Sequence, residues 1–449
     1  MSSLMISTSG IRGIIGESLT PEVILNVAKA YGKLMGKGPV ILGGDTRVSH
    51  EMVINLVKSG LTAVGTDVIH IGKVTTPTVQ QMIRAFNAKG GVVITASHNP
   101  IQWNGIKLMN DQGAFLTTDQ FATFKDYYDE GVNDLMEWDS LGQITEVDDA
   151  LERHVDLICN TIDVSSIKNS NLNVLVDANN GTGALANPIL LDRLGVNYKI
   201  INEKADGRFA HDPEPLKQNL SGIIEELKKG QYDIGFVQDA DADRLVILDE
   251  TGHFIGEDYS LALCIDYVLG YEDALLDNKQ VVVNLSTSNV INYICEKNDA
   301  KIYHTRIGEP NVTAKLRDIS ATVGGEGNGG VIYPKIGWGR DSLVGIVLAL
   351  KHLVDTKKKV SEIVETYPQY VMLRDKFKVS DRSEVSGFLN LVEKNYQQFD
   401  INKEDGVKVN FANSWLHVRP SNTEPIVRIF IEAPTIEEAE KIKDDVSKL

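Results

Sequence analysis

The chain has 449 residues, too many for one comfortable core, so two to four domains are expected. Its hydrophobic content of 42% and charged content of 24% are ordinary for a globular protein in water, and no apolar run is long enough to suggest a membrane span. A formal net charge of -17 repels phosphate backbones, which argues against nucleic acid as a partner.

The N-terminal segment Met1 to Gly10 lacks the basic stretch and apolar run of a secretory leader. The first element to read is a helix, with Thr20 as its cap and Pro21 in its first turn. Ile24, Val27, Ala28, Tyr31, Leu34 and Met35 share one face, and Gly36 and Gly38 end it. After this helix the chain alternates apolar β-branched runs with amphipathic stretches, the pattern of layered α/β structure.

That pattern occurs three times. A strand with a polar loop is expected at Pro39–Ser49, Leu172–Gly183 and Gln280–Asn289. A second follows at Asp67–Pro77, Asn197–Gly207 and Lys301–Pro310, and a third at Gly90–Pro100, Asp233–Arg244 and Ala321–Gly330. Three similar α/β domains with mixed sheets account for this, over residues 1–150, 151–253 and 254–367. Residues 368–449 predict a smaller α+β domain, with strands near Trp415–Val418 and Ile426–Glu432 and a helix from Thr435. Cys159, Cys264 and Cys295 are widely spaced in apolar settings and read as reduced thiols, consistent with a cytoplasmic protein.

The most polar loop of each α/β domain follows its third strand, where open α/β sheets collect ligands. In the first domain it reads Thr95-Ala96-Ser97-His98-Asn99-Pro100, which is either a plain turn or the seat of a serine nucleophile. A Ser-His-Asp triad is not supported, because adjacent side chains of an extended segment point to opposite sides. Lys107 on the following segment is a candidate general acid/base.

In the second domain, Asp239, Asp241 and Asp243 alternate directly after the apolar run Ile234–Val237. So much negative charge in a small loop, taken to lie on the surface, calls for a hard divalent cation such as Mg²⁺ or Ca²⁺. An EF-hand is excluded by the absence of its central glycine. In the third domain, Glu326 and Asn328 stand as exposed polar side chains in a glycine run suited to sugar hydroxyls. In the fourth, Arg419-Pro420-Ser421-Asn422-Thr423-Glu424-Pro425 with Arg428 describes a phosphate cradle. The four loops supply a nucleophile, a metal, a hydroxyl reader and a phosphate clamp, suited to one cleft between domains.

Two other functional classes compete. Gly181-Thr182-Gly183-Ala184-Leu185-Ala186 matches a dinucleotide fingerprint, with Glu203 placed as the ribose-binding acid, which suggests an NAD-dependent oxidoreductase. That reading leaves the Asp239–Asp243 and Arg419–Arg428 loops without work. A noncatalytic sugar-phosphate sensor would need the cradle and the sugar loop, but not Ser97 beside a metal.

The residues TASHNP at 95–100, DADADR at 239–244, GGEGNGG at 324–330 and RPSNTEP at 419–425 resemble the four signature loops of the α-D-phosphohexomutases, in family order across the whole chain. Ser9-Gly10-Ile11-Arg12-Gly13 and Gly44-Asp45-Thr46-Arg47 are similar to further family elements. The resemblance implies a heart-shaped molecule of four domains and a reversible transfer between the 1- and 6-positions of a hexose. It implies Ser97 as the phosphorylated residue, with Mg²⁺ on Asp239, Asp241, Asp243 and a phosphoserine oxygen. Arg12, Lys107 and Arg244 match residues around that phosphate, and His98 beside the serine joins them as a catalytic candidate. Glu326 and Asn328 match sugar readers; Arg419, Ser421, Asn422, Thr423 and Arg428 match the distal phosphate site.

The implied partners are a hexose phosphate and a hexose 1,6-bisphosphate activator, acting on a monomer or a homodimer. The sequence departs from many relatives at Asn328 and Gly330, where Ser and His are common, so a second acid/base is unassigned. Those positions and Asn422 resemble the archaeal-type branch often assigned as phosphoglucosamine mutases, which also contains phosphomannomutase/phosphoglucomutase members.

Overall fold

Apolar β-branched runs separated by amphipathic helices bury both sheet faces when strands lie parallel under helices. The computed structural model describes residues 4–378, 382–420 and 426–449, whose strands form four sheets. The first sheet contains β1 (Met5–Ser7), β2 (Gly10–Ile14), β3 (Pro39–Gly44), β4 (Asp67–Lys73), β5 (Gly90–Ile94), β6 (Trp103–Asn110) and β7 (Ile144–Glu146). The second contains β8 (Asn173–Asp177), β9 (Asn197–Ile201), β10 (Ile234–Gln238) and β11 (Leu245–Leu248). The third contains β12 (Gln280–Asn284), β13 (Lys301–Thr305), β14 (Val323–Glu326) and β15 (Gly330–Ile332).

One unit recurs in all three: β4-β3-β5-β6, β9-β8-β10-β11 and β13-β12-β14-β15. In each, three strands are parallel and the fourth returns antiparallel beside the third. The threefold repeat expected from the hydrophobic pattern is present, and the returning strand gives it its function. A loop between two paired strands is held at both ends by ladder hydrogen bonds. Val93 pairs with Lys107, Gln238 with Leu245 and Glu326 with Gly330, which brackets the three polar loops.

The fourth sheet is antiparallel throughout, with β16 (Val371–Lys378), β17 (Asp400–Asn402), β18 (Val407–Asn410), β19 (Trp415–Pro420) and β20 (Ile426–Ala433) in the order β16-β20-β19-β18-β17. It has its own core, built from Val409, Leu416, Val418, Val427 and Ile431. The second and third sheets instead share one continuous core, which runs from Val176 and Phe236 through Leu261 to Val283 and Leu348.

Local signals behave as their chemistry dictates. Thr20 accepts a hydrogen bond from the Val23 amide, helix Pro21–Met35 buries Ile24, Val27, Ala28 and Tyr31, and Gly36 closes it at φ 69°. Cys264 and Cys295 are buried, Cys159 is half-buried, and all three are free thiols. No helix among the described residues is long and apolar enough to cross a membrane.

Candidate active site

The turn after β5 places Ser97 in the left-handed region at φ 50°, a strained conformation for a residue with a side chain. Ser97 is buried, and its Oγ donates to Asp239 Oδ2 at 3.0 Å. The left-handed turn also brings Ser97 Oγ within 3.4 Å of His98 Nδ1. The two side chains therefore do not point to opposite sides, because the segment is not extended here. Nearby Arg244 first, then burial and Arg12, hold the His98 pKa well below the ordinary value, so the ring is neutral.

The strain at Ser97 is supported by one arginine. Arg47, fully buried, donates to the carbonyl oxygens of Ser97 and Asn99 at 2.7 Å and of Pro100 and Trp103 at 2.9 Å. Asp45 accepts from Arg47 Nε at 3.2 Å and from Thr95 Oγ1 at 2.6 Å, so the arginine is itself held in place. Arg12 Nη1 donates to Asn99 Oδ1 at 3.2 Å.

The turn after β10 carries the three aspartates, and Ala242 at φ 52° folds it back on itself. Asp239, Asp241 and Asp243 are each 0% exposed, so the expectation of a surface loop is corrected: three domains close over it. One carboxylate oxygen from each lies within 4.8 Å of the others. Lys107 Nζ donates to Asp241 Oδ2 at 2.7 Å and Asp243 Oδ2 at 3.1 Å, while Thr76 Oγ1 donates to Asp241 Oδ2. The other oxygens of the pair, Asp241 Oδ1 and Asp243 Oδ1, are buried without a hydrogen-bond partner. Buried anionic oxygens without partners, in a ring of hard donors, fit a divalent cation such as Mg²⁺.

Electrostatics bear the mark of that crowding. Burial, with Asp243 and Asp241 as neighbours, drives the Asp239 pKa well above the ordinary carboxylate range. Burial would raise Asp243 too, but Arg340, Lys107 and Arg244 outweigh it and hold it low. Lys107 is pushed down by burial and held up more strongly by Asp241 and Asp243, which keeps it protonated. Arg244 Nε lies 3.8 Å from Asp239 and 3.9 Å from Asp243.

The hairpin β14–β15 carries Glu326 and Asn328. Glu326 is buried, contrary to the expectation of an exposed side chain, and Asn328 is half-buried. Glu326 Oε1 accepts from Asn284 Nδ2 and the Gly308 amide at 3.0 Å, and Oε2 lies 3.2 Å from Arg340 Nη1. Asn328 Oδ1 is buried without a partner.

Arg419 and Arg428 are direct cross-strand neighbours on β19 and β20. Like charges placed opposite each other repel, and an anion between them relieves it. Arg419 is buried with Nε 3.2 Å from Asp405 Oδ2, and that same oxygen accepts from the Ile307 amide at 3.0 Å. Arg428 is exposed. Ser421, Asn422 and Thr423 lie outside the described residues. Both arginines line a cavity of about 840 Å³ that also reaches Arg12, His98, Gly308 and Asn311.

The structure thus brings Ser97, His98, Lys107, Arg244 and the three aspartates together, with Arg12 beside them and Glu326 linked through Arg340. Several residues in this assembly carried no sequence signal of their own. Arg47, Thr76 and Glu309 fall within the strand-and-loop segments Pro39–Ser49, Asp67–Pro77 and Lys301–Pro310 without a role of their own, and Arg340 and Asp405 belong to no motif. The glycines of the dinucleotide fingerprint have a packing purpose instead. A Cβ on Gly181 would lie 2.7 Å from the Ala240 oxygen, and one on Gly183 would lie 2.1 Å from Gln238 Oε1. Thr182 between them donates to the Ala240 oxygen from its amide at 2.9 Å and its hydroxyl at 3.1 Å, which fixes the backbone of the aspartate loop.

Comparison with known proteins places the chain in a family. Phosphoglucomutase/phosphomannomutase alpha/beta/alpha domains I, II and III match residues 4–133, 152–252 and 256–370, and the C-terminal domain matches 371–449. A phosphoglucomutase/phosphomannomutase of Thermococcus kodakarensis is 38% identical, covering 97% of this chain and 96% of its own. A probable phosphoglucosamine mutase of Methanopyrus kandleri is 34% identical, covering 98% and 96%. A crystal structure of a family protein from Burkholderia thailandensis superposes with a TM-score of 0.85 at 26% identity, covering 99% and 97%. The chain belongs to the phosphoglucomutase/phosphomannomutase family and is a phosphohexomutase, an isomerase.

Proposed function

We propose that the enzyme moves a phosphoryl group between the 1- and 6-hydroxyls of a hexose through phosphorylated Ser97 and a 1,6-bisphosphate intermediate. The observation that carries this reading is Ser97 itself. It is a strained, buried hydroxyl 3.0 Å from Asp239, in a turn held by Arg47, with Arg12 and Arg244 nearby. A covalent carrier splits one awkward transfer into two in-line ones.

Asp239, Asp241 and Asp243 would hold Mg²⁺ together with a phosphate oxygen on Ser97, and the bound ion would neutralise charge on the moving phosphoryl group. Arg244 and Arg12 add fixed positive charge near the same oxygens. Lys107, held protonated by Asp241 and Asp243, is the group that donates to the leaving oxygen. Glu326 and Asn328 read sugar hydroxyls, and the unpartnered Asn328 Oδ1 is suited to one of them. Arg419 and Arg428, with Ser421, Asn422 and Thr423, grip the phosphate that is not reacting. The substrate must turn end for end between the two transfers, because one clamp serves both phosphates.

The preferred sugar is glucosamine phosphate, supported by curated relatives such as that of Methanopyrus kandleri. The Thermococcus kodakarensis relative supports phosphomannomutase/phosphoglucomutase activity as the second reading. Parallel assays of glucosamine, mannose and glucose phosphates decide between them by kcat/KM.

Mass spectrometry of the purified enzyme should find the mass of one phosphoryl group on the peptide containing Ser97. Excess unphosphorylated acceptor should remove it and a hexose 1,6-bisphosphate should restore it. Wild-type turnover in Ser97→Ala on every hexose phosphate tested would refute the reading.

A further inference from the structure

Arg340 lies on the segment that enters helix Ser342–Thr356, outside the four signature loops. Its guanidinium touches three carboxylates. Nη2 donates to Asp243 Oδ2 at 2.8 Å, Nε donates to Glu309 Oε2 at 2.9 Å, and Nη1 lies 3.2 Å from Glu326 Oε2. The residue is 7% exposed, and these anions hold it charged despite its burial. One cation therefore joins a carboxylate of the metal loop in the second domain to the sugar-facing carboxylate of the third.

The stem of Arg340 explains a glycine. A Cβ on Gly330 would lie 2.2 Å from Arg340 Cδ and 2.8 Å from its Cγ. Gly330 is not among the residues with positive φ, so its backbone does not require glycine and only the space does. The segment is also anchored on both sides. The Asp341 amide donates to the Val331 oxygen at 2.9 Å, and Asp341 caps the helix through the Leu343 amide. His154 lies between Asp341 at 2.9 Å and Thr78 at 3.0 Å. Ser342 Oγ donates to the Ala242 oxygen inside the metal loop at 2.6 Å.

We infer that Arg340 is a positioning residue of the phosphoryl transfer. It fixes Asp243 and Glu326 relative to each other, and position 330 carries no side chain because Arg340 fills that volume. Without the cation the two carboxylates repel and the sugar reader loses its register with the metal loop. All three guanidinium nitrogens face carboxylates, so Arg340 acts through them rather than on the substrate. This inference rests on the mutase reading given above.

The test is a double-mutant cycle of Arg340→Ala and Gly330→Ala, read in kcat and KM, with Mg²⁺ affinity measured by calorimetry. Each single variant should lower kcat by roughly a hundredfold, with a smaller change in KM. Gly330→Ala should add nothing in the Arg340→Ala background, because the residue it displaces is already gone. Guanidinium chloride at low concentration should restore part of the Arg340→Ala activity. Mg²⁺ affinity should not weaken in Arg340→Ala, since a cation competing for Asp243 has been removed. Additive effects of the two substitutions, or loss of Mg²⁺ affinity together with kcat, would overturn the inference. If Arg340→Ala fails to fold, Gly330→Ala keeps every charge in place, and its full activity would overturn the inference by itself. The wild-type arm separates the two readings: no turnover of any hexose phosphate there sinks the mutase mechanism, not the role of Arg340.

Discussion

On the proposed mechanism, the Ser97–aspartate centre and the C-terminal arginine pair handle the same anion in opposite ways. At the centre, Ser97, Lys107 and the three aspartates are buried, and their partners come from three different domains. The clamp sits on a domain with its own core, and one of its two arginines is exposed. Polar contacts join that domain to the third one through a seam. The Lys408 ammonium donates to the Leu285 oxygen at 2.7 Å, His417 Nδ1 meets Ser286 Oγ at 2.8 Å, and Glu432 accepts from the Asn289 amide at 2.8 Å. Charge moved in a dry, fixed site is stabilised without reorganisation, which suits chemistry. On that mechanism the substrate is gripped by either end, turned and gripped again, which needs a clamp that is less committed. The difference separates rate from binding, and substitutions can test it.

The largest effect belongs to the centre. Asp241→Asn keeps an acceptor for Lys107 and Thr76 but removes a charge from the proposed cation site, so kcat should fall by orders of magnitude, and the loss of a buried ion pair should lower the melting temperature as well. Chelation with EDTA should abolish turnover and Mg²⁺ should restore it; full activity in EDTA would break the contrast at its strongest point.

Next comes the strained turn. Arg47→Lys cannot reach four carbonyl oxygens with one ammonium, so Ser97 should lose its placement. A kcat loss of roughly a hundredfold with intact Mg²⁺ affinity is the expected result, measured by steady-state kinetics and calorimetry.

The clamp should answer in KM. Arg419→Ala removes charge-assisted hydrogen bonds of about 1.5–3 kcal/mol each, a rise in KM of roughly ten- to a hundredfold. A fall in kcat alone, with KM unchanged, would place Arg419 in the chemistry and erase the distinction drawn here.

The seam supplies the smallest effect, seen only in stability. Asp258 is buried against Gly327 of the loop between β14 and β15, where its Oδ1 accepts from the Ser288 amide at 2.8 Å. Burial pushes its pKa from 3.8 up to about 8. Its contribution to stability is therefore fully present below pH 3.8 and is lost as pH rises toward about 8. Asp258→Asn should flatten the decline in melting temperature across that window and leave kcat unchanged. An unaltered slope would show that the carboxyl ionises freely in the fold.

Periodicity and turn chemistry determined a good deal of this protein unaided. Runs such as Pro39–Gly44 and Gln280–Asn284 can bury both faces only in a covered sheet, and Thr20, Pro21 and Gly36 mark a helix whatever surrounds them. The aspartates at 239, 241 and 243 point to a candidate cation site from sequence alone, because their repulsion is a local fact. What tertiary structure decided was where these loops lie and what holds them. The aspartate loop looked like a surface turn and is 0% exposed at all three aspartates, because the residues that cover it come from elsewhere in the chain. An extended segment would set Ser97 and His98 apart, yet they lie together, because a left-handed turn supported by distant Arg47 replaces the extended backbone. Arg340 and Asp243 are 97 positions apart, and neither residue's neighbours in sequence hint at the other. A contact of that kind exists only after the sheets have packed, so no local pattern can encode it.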